Sequence, residues 1–351
     1  MKRFLILAIM LFCINALAVV HKFSPEFQAI YDEATRPEVQ KALRKGAMAK
    51  IIYRIVDDEG GSVSNVSVNI EWQNDYPRKT WYDSLCSDER GYVEISEKVG
   101  GRMRAGFHKD GYYSSFDKID FHWRKGVSPV LIDGKWQPYG ENRTIVLKRI
   151  KNPIDLKVTD WGGNIIRAPI TNVWIGLDLE NGQWCKPFGT GEHDDVLVRF
   201  SGVVIDKFTW NTKTEISFTN VPYAGYYEMS KDGYSDMKSC YTASKDSASY
   251  VSRTMTFISR GAWGIPPNQE KTDKLADDKY IVFRTRCIVD DNGNLVSAHY
   301  GKLMGEFNGG GLALAFRCTN GDQCGIFFNT THNDTNLEDM QTINRFKLLR
   351  R

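Results

Sequence analysis

The chain has 351 residues, of which 42% are hydrophobic and 12% are aromatic, and its 46 lysines and arginines against 43 acidic residues leave a formal charge of +3. Disordered chains have fewer apolar residues and a larger charge imbalance, and nucleic-acid-binding proteins usually have a larger basic excess, so neither class is favoured. The length is sufficient for two or three domains, each with its own hydrophobic core.

The first 18 residues have the pattern of a secretory signal peptide. Lys2 and Arg3 precede an apolar run over residues 4–14, and Ala16-Leu17-Ala18 is the small-x-small pattern that a signal peptidase accepts. The apolar run is shorter than the roughly 20 residues that a membrane-spanning helix needs, so we expect cleavage after Ala18 rather than an uncleaved anchor. No later stretch is long and apolar enough to cross a membrane, which predicts a secreted, periplasmic or cell-surface protein.

Removal of residues 1–18 leaves six of the seven cysteines and lowers the formal charge to +1. An even number of cysteines in an oxidising compartment favours disulfides. Cys318 and Cys324 flank a turn-forming segment and are the first predicted pair, and Cys185 with Cys240 is the second. Free buried thiols are the open alternative, because cysteine is also common in hydrophobic cores.

Residues 19–46 predict a short N-terminal helical segment. Ser24 can cap a helix, Pro25 suits a first helical turn, and Gly46 follows a basic C-terminus. From Ala47 onwards the apolar residues alternate, which is typical of strands. Turn signals then recur about every ten residues, and this spacing indicates a β-sandwich.

The order of the turn motifs resembles the carboxypeptidase-regulatory-like domain. A strand ends in Asp57-x-x-Gly60, a valine-rich strand follows, and then come the Ser87–Tyr92 turn, a hairpin at Gly100-Gly101 and a closing Gly111-Tyr112. The resemblance covers residues 47–150 and implies a transthyretin-like sandwich of seven strands, in a module that is mostly non-catalytic. An insertion between Tyr113 and Asn142 departs from the compact form of this domain.

Residues 151–351 also have the pattern of β-structure. The apolar run at 280–289 leads into the hairpin signal Asn292-Gly293, and the alternation resumes at Leu295. The region resembles the C-terminal part of uncharacterised secreted bacterial proteins that pair it with a regulatory-like module. The basic, proline-containing segment 148–153 predicts the boundary between the two domains. The predicted fold class is therefore all-β, with an Ig/transthyretin-like sandwich and a larger jelly-roll-like sandwich after the helical segment.

Two polar clusters are candidates for chemistry. His193 stands beside Glu192, Asp194 and Asp195, so the cluster has the groups for metal binding or acid–base roles. Adjacent residues of a strand point to opposite faces, however, and a polar turn is the simpler interpretation. The other cluster gives weak calcium candidates, which an Asn-Gly hairpin explains without a metal: Asp290, Asn292 and Asn294.

Zinc and other cofactors are not predicted, because the six histidines are scattered without ligand-like spacing. The chain lacks a Gly-x-Ser-x-Gly elbow, a phosphate-binding glycine loop and a His-Glu-x-x-His motif. These absences make an enzyme less favoured. They leave open a glycosidase, whose two carboxylates are brought together only by the fold.

The nine tryptophans carry the functional prediction. Several lie in polar, turn-like surroundings, and an exposed ring stacks well on the apolar face of a sugar. We therefore predict a non-enzymatic binding or structural module that contacts a polysaccharide or a cell-surface protein, with a hydrolase or an adhesion subunit as alternatives. Core packing of the tryptophans is the competing interpretation. The predicted ligand-binding residues are Trp136, Tyr139, Trp184 and His193.

Overall fold

The structure, a computed structural model, describes residues 25–74, 77–160, 168–206, 209–219, 223–233, 235–261, 278–304 and 325–340. The chain divides into two compact units: unit 1 comprises residues up to 109 together with 115–147, and unit 2 comprises 110–114 and the residues from 148 onwards. The junction at 147/148 lies three residues before the predicted boundary. The predicted signal peptide and the pair Cys318 and Cys324 lie outside the described residues.

The described chain begins with two helices, α1 (Pro25–Thr35) and α2 (Pro37–Lys45). Each starts with a proline, which has no N–H to lose in a first turn. Gly46 ends α2 with a positive φ of 78°, and its N–H donates to the Ala42 carbonyl at 2.7 Å. The prediction of a short helical segment before an all-β chain is confirmed.

Unit 1 consists of two sheets. One has the order β4-β1-β8-β7, with β9 pairing in parallel to β1, and the other has the order β3-β2-β5-β6. The strands are β1 (Ala47–Asp57), β2 (Ser67–Asn74), β3 (Lys79–Cys86), β4 (Tyr92–Val99), β5 (Gly101–His108), β6 (Ser115–Asp120), β7 (Leu131–Ile132), β8 (Lys135–Trp136) and β9 (Glu141–Leu147).

The core of unit 1 joins these two sheets. The ring of Tyr53 in β1 packs edge-on against Phe107 in β5 at 4.9 Å, and its hydroxyl donates to Asp117 of β6 at 2.8 Å. Asp117 also pairs with Arg143 at 2.9 Å, so its buried charge is compensated. The sheets therefore pack face to face as a β-sandwich, as predicted.

The turns of unit 1 are built by aspartates at the positions that the sequence motifs mark. The Asp57 carboxylate accepts the N–H groups of Glu59 and Gly61 at 3.1 and 2.7 Å, as expected of an Asx turn. Gly91 has φ 79°, and a Cβ there would lie 2.6 Å from the Ile55 carbonyl oxygen. Strands β6, β7 and β8 fall in the predicted insertion. The family resemblance stays a prediction.

Unit 2 likewise has two sheets, each of five strands, in the orders β10-β19-β18-β17-β15 and β12-β11-β13-β14-β16. Its strands are β10 (Lys157–Asp160), β11 (Ile175–Asp178), β12 (Gln183–Trp184), β13 (Val196–Asp206), β14 (Thr209–Phe218), β15 (Gly225–Ser230), β16 (Thr254–Gly261), β17 (Lys279–Val289), β18 (Leu295–Met304) and β19 (Gly325–Phe328). A single 3-10 turn (Ser247–Ser249) precedes β16 in the described part.

One hydrophobic core joins the two sheets of unit 2. Phe218 of β14 packs against Phe283 of β17 and Tyr226 of β15, with ring centroids 5.8 Å apart in both pairs. Phe283 in turn stacks on Phe328 of β19 at 6.4 Å. This is the arrangement expected of a second sandwich. Among the described residues, no helix has the length and apolarity needed to span a membrane.

The segment after β19 is anchored by one buried carboxylate. Glu338 accepts the hydroxyl of Tyr113 at 2.9 Å and the backbone N–H groups of Lys151 and Asn152 at 2.8 and 2.7 Å. All four residues belong to unit 2. Glu338 therefore holds three separate stretches of the chain together, and these hydrogen bonds compensate the burial of its carboxylate.

Candidate functional site

A polar pocket of about 650 Å³ lies in unit 2 and is called here the unit 2 pocket. Its wall combines acidic side chains, imidazoles and threonine hydroxyls around one arginine. The lining residues are Glu180, Glu192, Asp194 and Asp195; His193, His299 and His332; Thr219, Thr285 and Thr330; and Arg286, Cys287 and Ile288.

Arg286 is turned towards the acidic wall by an irregularity in β17. The pairing of β17 with β18 shifts register between Thr285 and Ile288, and Arg286 has a positive φ of 50°. Such bulges re-aim side chains. The guanidinium makes a two-pronged contact with Asp195, Nε to Oδ1 at 2.8 Å and Nη2 to Oδ2 at 2.9 Å.

Two more carboxylates complete the environment of Arg286. Nη1 donates to Glu180 at 2.6 Å and Nη2 donates to Asp178 at 3.1 Å. Burial alone would lower the pKa of Arg286, but the hydrogen bonds and charge of Asp195, with those of Glu180 and Asp178, raise it above its usual value. All the charge of this guanidinium is therefore engaged by the protein's own acids.

Asp178 fixes the rim of the unit 2 pocket. Its fully buried carboxylate accepts the backbone N–H groups of Glu180, Asn181 and Glu192 and the side-chain amide of Asn181. Burial would raise the pKa of Asp178, but these hydrogen bonds and the Arg286 charge outweigh it and hold the pKa below its usual value. One carboxylate thus ties the turn after β11 to the segment that carries His193.

His299 of β18 is the most buried imidazole of the pocket, with 5% of its surface exposed. Its Nδ1 lies 2.9 Å from the Asn329 carbonyl oxygen, which can only accept, so Nδ1 carries the hydrogen. Burial lowers the pKa of His299, so the ring is neutral at pH 7 and has its lone pair on Nε2. The ring stacks on Phe328 at 5.6 Å and meets His332 edge-on at 4.4 Å.

Of the predicted ligand-binding residues, only His193 lines the pocket. Trp136 is buried in unit 1, where its Nε1 donates to the Val99 carbonyl at 2.8 Å, and Trp184 is buried in unit 2 against Phe200. The prediction that these two rings bind ligand from loops is therefore wrong. Tyr139 is 37% exposed, but it belongs to unit 1 and has the Lys135 ammonium 5.0 Å from its ring.

The predicted Cys185–Cys240 disulfide is not formed, because both residues are free thiols. The Cys185 thiol donates to the His193 carbonyl at 3.3 Å, and burial together with Asp194 raises its pKa to about 12. The Cys240 backbone N–H meets the Tyr280 hydroxyl at 2.6 Å instead. The Cys185 thiol is buried, and Cys240 is half-buried.

The calcium candidates form a hairpin turn. The Asp290 carboxylate accepts the N–H groups of Asn292 and Asn294 at 2.9 and 2.7 Å and the Asn294 side-chain amide at 3.0 Å. Its oxygens are engaged by the turn itself, so this cluster does not present the ligand set that a calcium site needs. In the described part of the chain, no group of three His, Cys, Asp or Glu side chains has the arrangement of a metal site.

Arg286, His299 and His332 are the pocket residues that sequence reasoning missed. They are more than 90 positions from His193 in the sequence. The fold brings them to the pocket because β17 pairs with β18, and the segment after β19 hydrogen-bonds to β18 through the Asn333 N–H and the Ala298 carbonyl at 2.9 Å. One signal was available: β17 has two arginines, Arg284 and Arg286, within an apolar run, and each marks a position where the fold must supply hydrogen-bonding or charged partners.

No protein-family model matches the chain, and no curated protein matches it. Among solved structures, it is similar to 3-chlorocatechol 1,2-dioxygenase from Rhodococcus opacus 1CP, with 13% identity over 30% of this chain and 62% of that chain and a TM-score of 0.23. It is also similar to catechol 1,2-dioxygenase from Acinetobacter sp. ADP1, with 14% identity over 30% and 54% of the two chains and a TM-score of 0.23. The alignments span 54% to 62% of these dioxygenases, and TM-scores this low carry no argument about fold or activity.

Proposed function

We propose that the chain is an exported, non-enzymatic binding protein that holds a hydroxyl-rich ligand, such as a segment of polysaccharide, in the unit 2 pocket. The observation that carries the proposal is the pocket itself, about 650 Å³ with carboxylates, imidazoles and hydroxyls on its wall. Its volume falls in the range of ligand sites. Carboxylates and imidazoles accept, and threonine hydroxyls both donate and accept, the hydrogen bonds that sugar hydroxyls make.

The fixed frame of the pocket supports a binding role. Asp195 and Asp178 are held by Arg286 and by backbone N–H groups, so the rim that bears Glu192 and His193 is ordered before a ligand arrives. A preorganised wall loses less conformational entropy on binding than a mobile one. The pocket therefore has the rigidity that useful affinity for a polar ligand requires.

The proposal relies on hydrogen bonding more than on ring stacking. Trp136 and Trp184, the two tryptophans among the predicted ligand-binding residues, are buried in the cores of the two units. The unit 2 pocket has no tryptophan or tyrosine among its described lining residues. A polar ligand that is recognised through its hydroxyl groups fits this wall better than one held between aromatic planes.

A glycan-array screen of the mature chain, residues 19–351, tests the proposal. We expect array hits that weaken at least tenfold in the double variant Glu192→Ala/His193→Ala, since both side chains are exposed on the pocket wall. The matched control is Glu228→Ala, an exposed acid on β15 that is not a lining residue. Absence of any hit, or hits that the double variant leaves unchanged, would contradict the proposal.

A polysaccharide hydrolase is the second candidate, and one observation favours it. The unit 2 pocket brings several carboxylates together with His299, an imidazole that burial keeps neutral, and such groups serve as general acids and bases. Incubation with each glycan that binds, followed by a reducing-end assay, separates the two functions. Turnover that Asp194→Asn abolishes while binding persists would establish the hydrolase; bound glycans that stay intact would exclude it.

A further inference from the structure

We propose that the ligand of the unit 2 pocket carries protonated amines, and that its class is a cationic amino-sugar oligomer; this inference rests on the proposed function above. It follows from the negative charge that the pocket leaves uncompensated and from one unpartnered acceptor atom, Nε2 of the mostly buried His299, on the pocket wall. Both features select the same chemistry, a ligand that brings positive charge and hydrogen-bond donors.

The charge balance of the pocket wall is negative. Four lining residues are acidic, and Arg286 is the one lysine or arginine among the described lining residues. The Arg286 guanidinium is already shared by Asp195, Glu180 and the buried Asp178 behind the wall. No described lysine or arginine side chain pairs with Glu192 or Asp194, so these two carboxylates present their charge to whatever enters.

His299 supplies the second, independent observation. More than nine-tenths of its surface is buried, its Nδ1–H is fixed on the Asn329 carbonyl, and the ring lines the pocket. No residue in the described part of the chain hydrogen-bonds its Nε2 lone pair. Nε2 is not one of the fully buried atoms that lack a partner, so it is accessible from the pocket and can accept from water or from a ligand. An ammonium group has three N–H donors and no acceptor, so it complements Nε2 and the carboxylates together.

The remaining lining residues of the pocket indicate that the ligand carries hydroxyl groups beside its amines. Thr285, Thr330 and the exposed rings of His193 and His332 are further hydrogen-bonding groups, more than one ammonium can use. A chain of amino sugars offers amines and hydroxyls in alternation and fills the pocket with both. Anionic polysaccharides are disfavoured, because their carboxylate or sulfate groups would meet Glu192 and Asp194.

Isothermal titration calorimetry with the mature chain tests this inference. The probes are a β-1,4-linked glucosamine tetramer, its N-acetylated counterpart of the same length, and spermidine, which has amines without hydroxyls. We expect the glucosamine tetramer to bind at least tenfold more tightly than the other two. Its affinity should fall as NaCl rises from about 0.05 to 0.5 M, because salt screens the charge interaction, while that of the neutral tetramer changes little.

The matched variants are Glu192→Gln, which removes charge from the wall with little change in shape, and Glu228→Gln, which makes the same change on β15 outside the wall. We expect Glu192→Gln to weaken the glucosamine tetramer about fivefold to tenfold and the neutral tetramer less than twofold, with Glu228→Gln without effect. Circular dichroism confirms that both variants are folded.

The outcomes separate the inference from the proposed function. Equal binding of the two tetramers, or a Glu192→Gln variant with unchanged affinity for the glucosamine tetramer, would overturn the amino-sugar inference and leave polysaccharide binding in place. Spermidine binding as tight as that of the glucosamine tetramer would overturn the sugar part of the inference. If neither tetramer binds, and the array has no hits, the proposed function fails as well.

Discussion

Replacement of Arg286 by methionine tests whether the pocket depends on one cation. The guanidinium contacts Asp195 at 2.8 and 2.9 Å, Glu180 at 2.6 Å and Asp178 at 3.1 Å. Both aspartate side chains are fully buried. Methionine keeps an apolar stem of similar length, so the substitution removes the charge and the donors while it retains most of the packing.

The size of the expected loss in stability depends on the hydrogen bonds that the three carboxylates keep when the guanidinium is removed. Asp178 keeps its backbone hydrogen bonds, and Glu180 is 35% exposed, so water compensates most of its loss. Asp195 keeps only the Leu179 N–H at 2.9 Å and a long contact with Thr285 at 3.5 Å. Removal of one partner from a buried ion pair costs about 3–5 kcal/mol, and we expect a loss of this size in the free energy of unfolding of unit 2.

Native-state labelling of Cys185, resolved by peptide mass spectrometry, measures this loss within unit 2. The thiol is buried against the His193 carbonyl, so it reacts only when the pocket rim opens. We expect labelling to accelerate by about two to four orders of magnitude in Arg286→Met, which corresponds to the loss of about 3–5 kcal/mol. The control Arg90→Met replaces an arginine that is 85% exposed in unit 1 and should change the rate by less than about threefold, which is ~0.6 kcal/mol.

A second substitution separates charge from packing. If the cost lies in an unpaired carboxylate, Asp195→Asn added to Arg286→Met should recover at least ~1 kcal/mol of the loss, because no buried charge then remains at that position. A single variant that loses less than ~1 kcal/mol would refute the view that Arg286 organises the pocket. A double variant that is simply additive would refute the pairing with Asp195.

Three further changes test other parts of the fold. Burial lowers the pKa of Lys302 to about 8 from 10.5, so the unfolded chain binds more protons between these values. The stability of unit 2 should therefore rise with pH across this window by up to about 3 kcal/mol, and urea titrations of Lys302→Met should lack that component. Gly91→Ala places a Cβ against the Ile55 carbonyl at positive φ and should cost unit 1 about 1–3 kcal/mol, measured by the shift in its urea midpoint. Glu338→Gln weakens the acceptor for Tyr113 and two backbone N–H groups and should cost unit 2 about 1–3 kcal/mol, detected as faster amide exchange in residues 326–340.

The turns of unit 1 show why its fold could be predicted from sequence. The Asp57 turn and the glycine at position 91 are local devices, in which a side chain or a positive φ acts on neighbouring residues. The alternation of apolar residues in β1 is also a local pattern, because a few consecutive residues are enough to show it. Strand order is a different matter, since β1 pairs in parallel with β9 across about 90 residues, and no local pattern reveals that partner.

The tryptophans show where composition misled the prediction. Polar, turn-like neighbours suggested exposed rings, but Trp136 belongs to the two-residue strand β8 inside the insertion and turns inward to stack on Phe121 at 6.1 Å. The Val99 carbonyl satisfies its indole N–H, which removes the penalty for burying that polar group. Sequence neighbours describe a ring's surroundings along the chain, whereas burial depends on the sheet that folds over it.

The His193 segment was underrated for a related reason. The objection that neighbouring residues point to opposite faces holds for a strand, and residues 189–195 precede β13 as a loop. The Asp178 carboxylate holds that loop through the Glu192 N–H, and the bulge at Arg286 turns the facing strand towards it. In the sequence, the acidic residues beside His193 have the pattern of a solvent-exposed turn. In the structure they line the same pocket as His299, because Asp178 holds the Glu192 N–H and Arg286 holds the Asp195 carboxylate. Arg286 was the informative residue of β17, because its guanidinium pairs with three carboxylates, whereas the fully buried Arg284 of the same strand donates to the Tyr223 carbonyl oxygen. An arginine in an apolar strand therefore predicts a partner supplied by the fold, and the tertiary structure decides whether that partner is a carboxylate or a carbonyl.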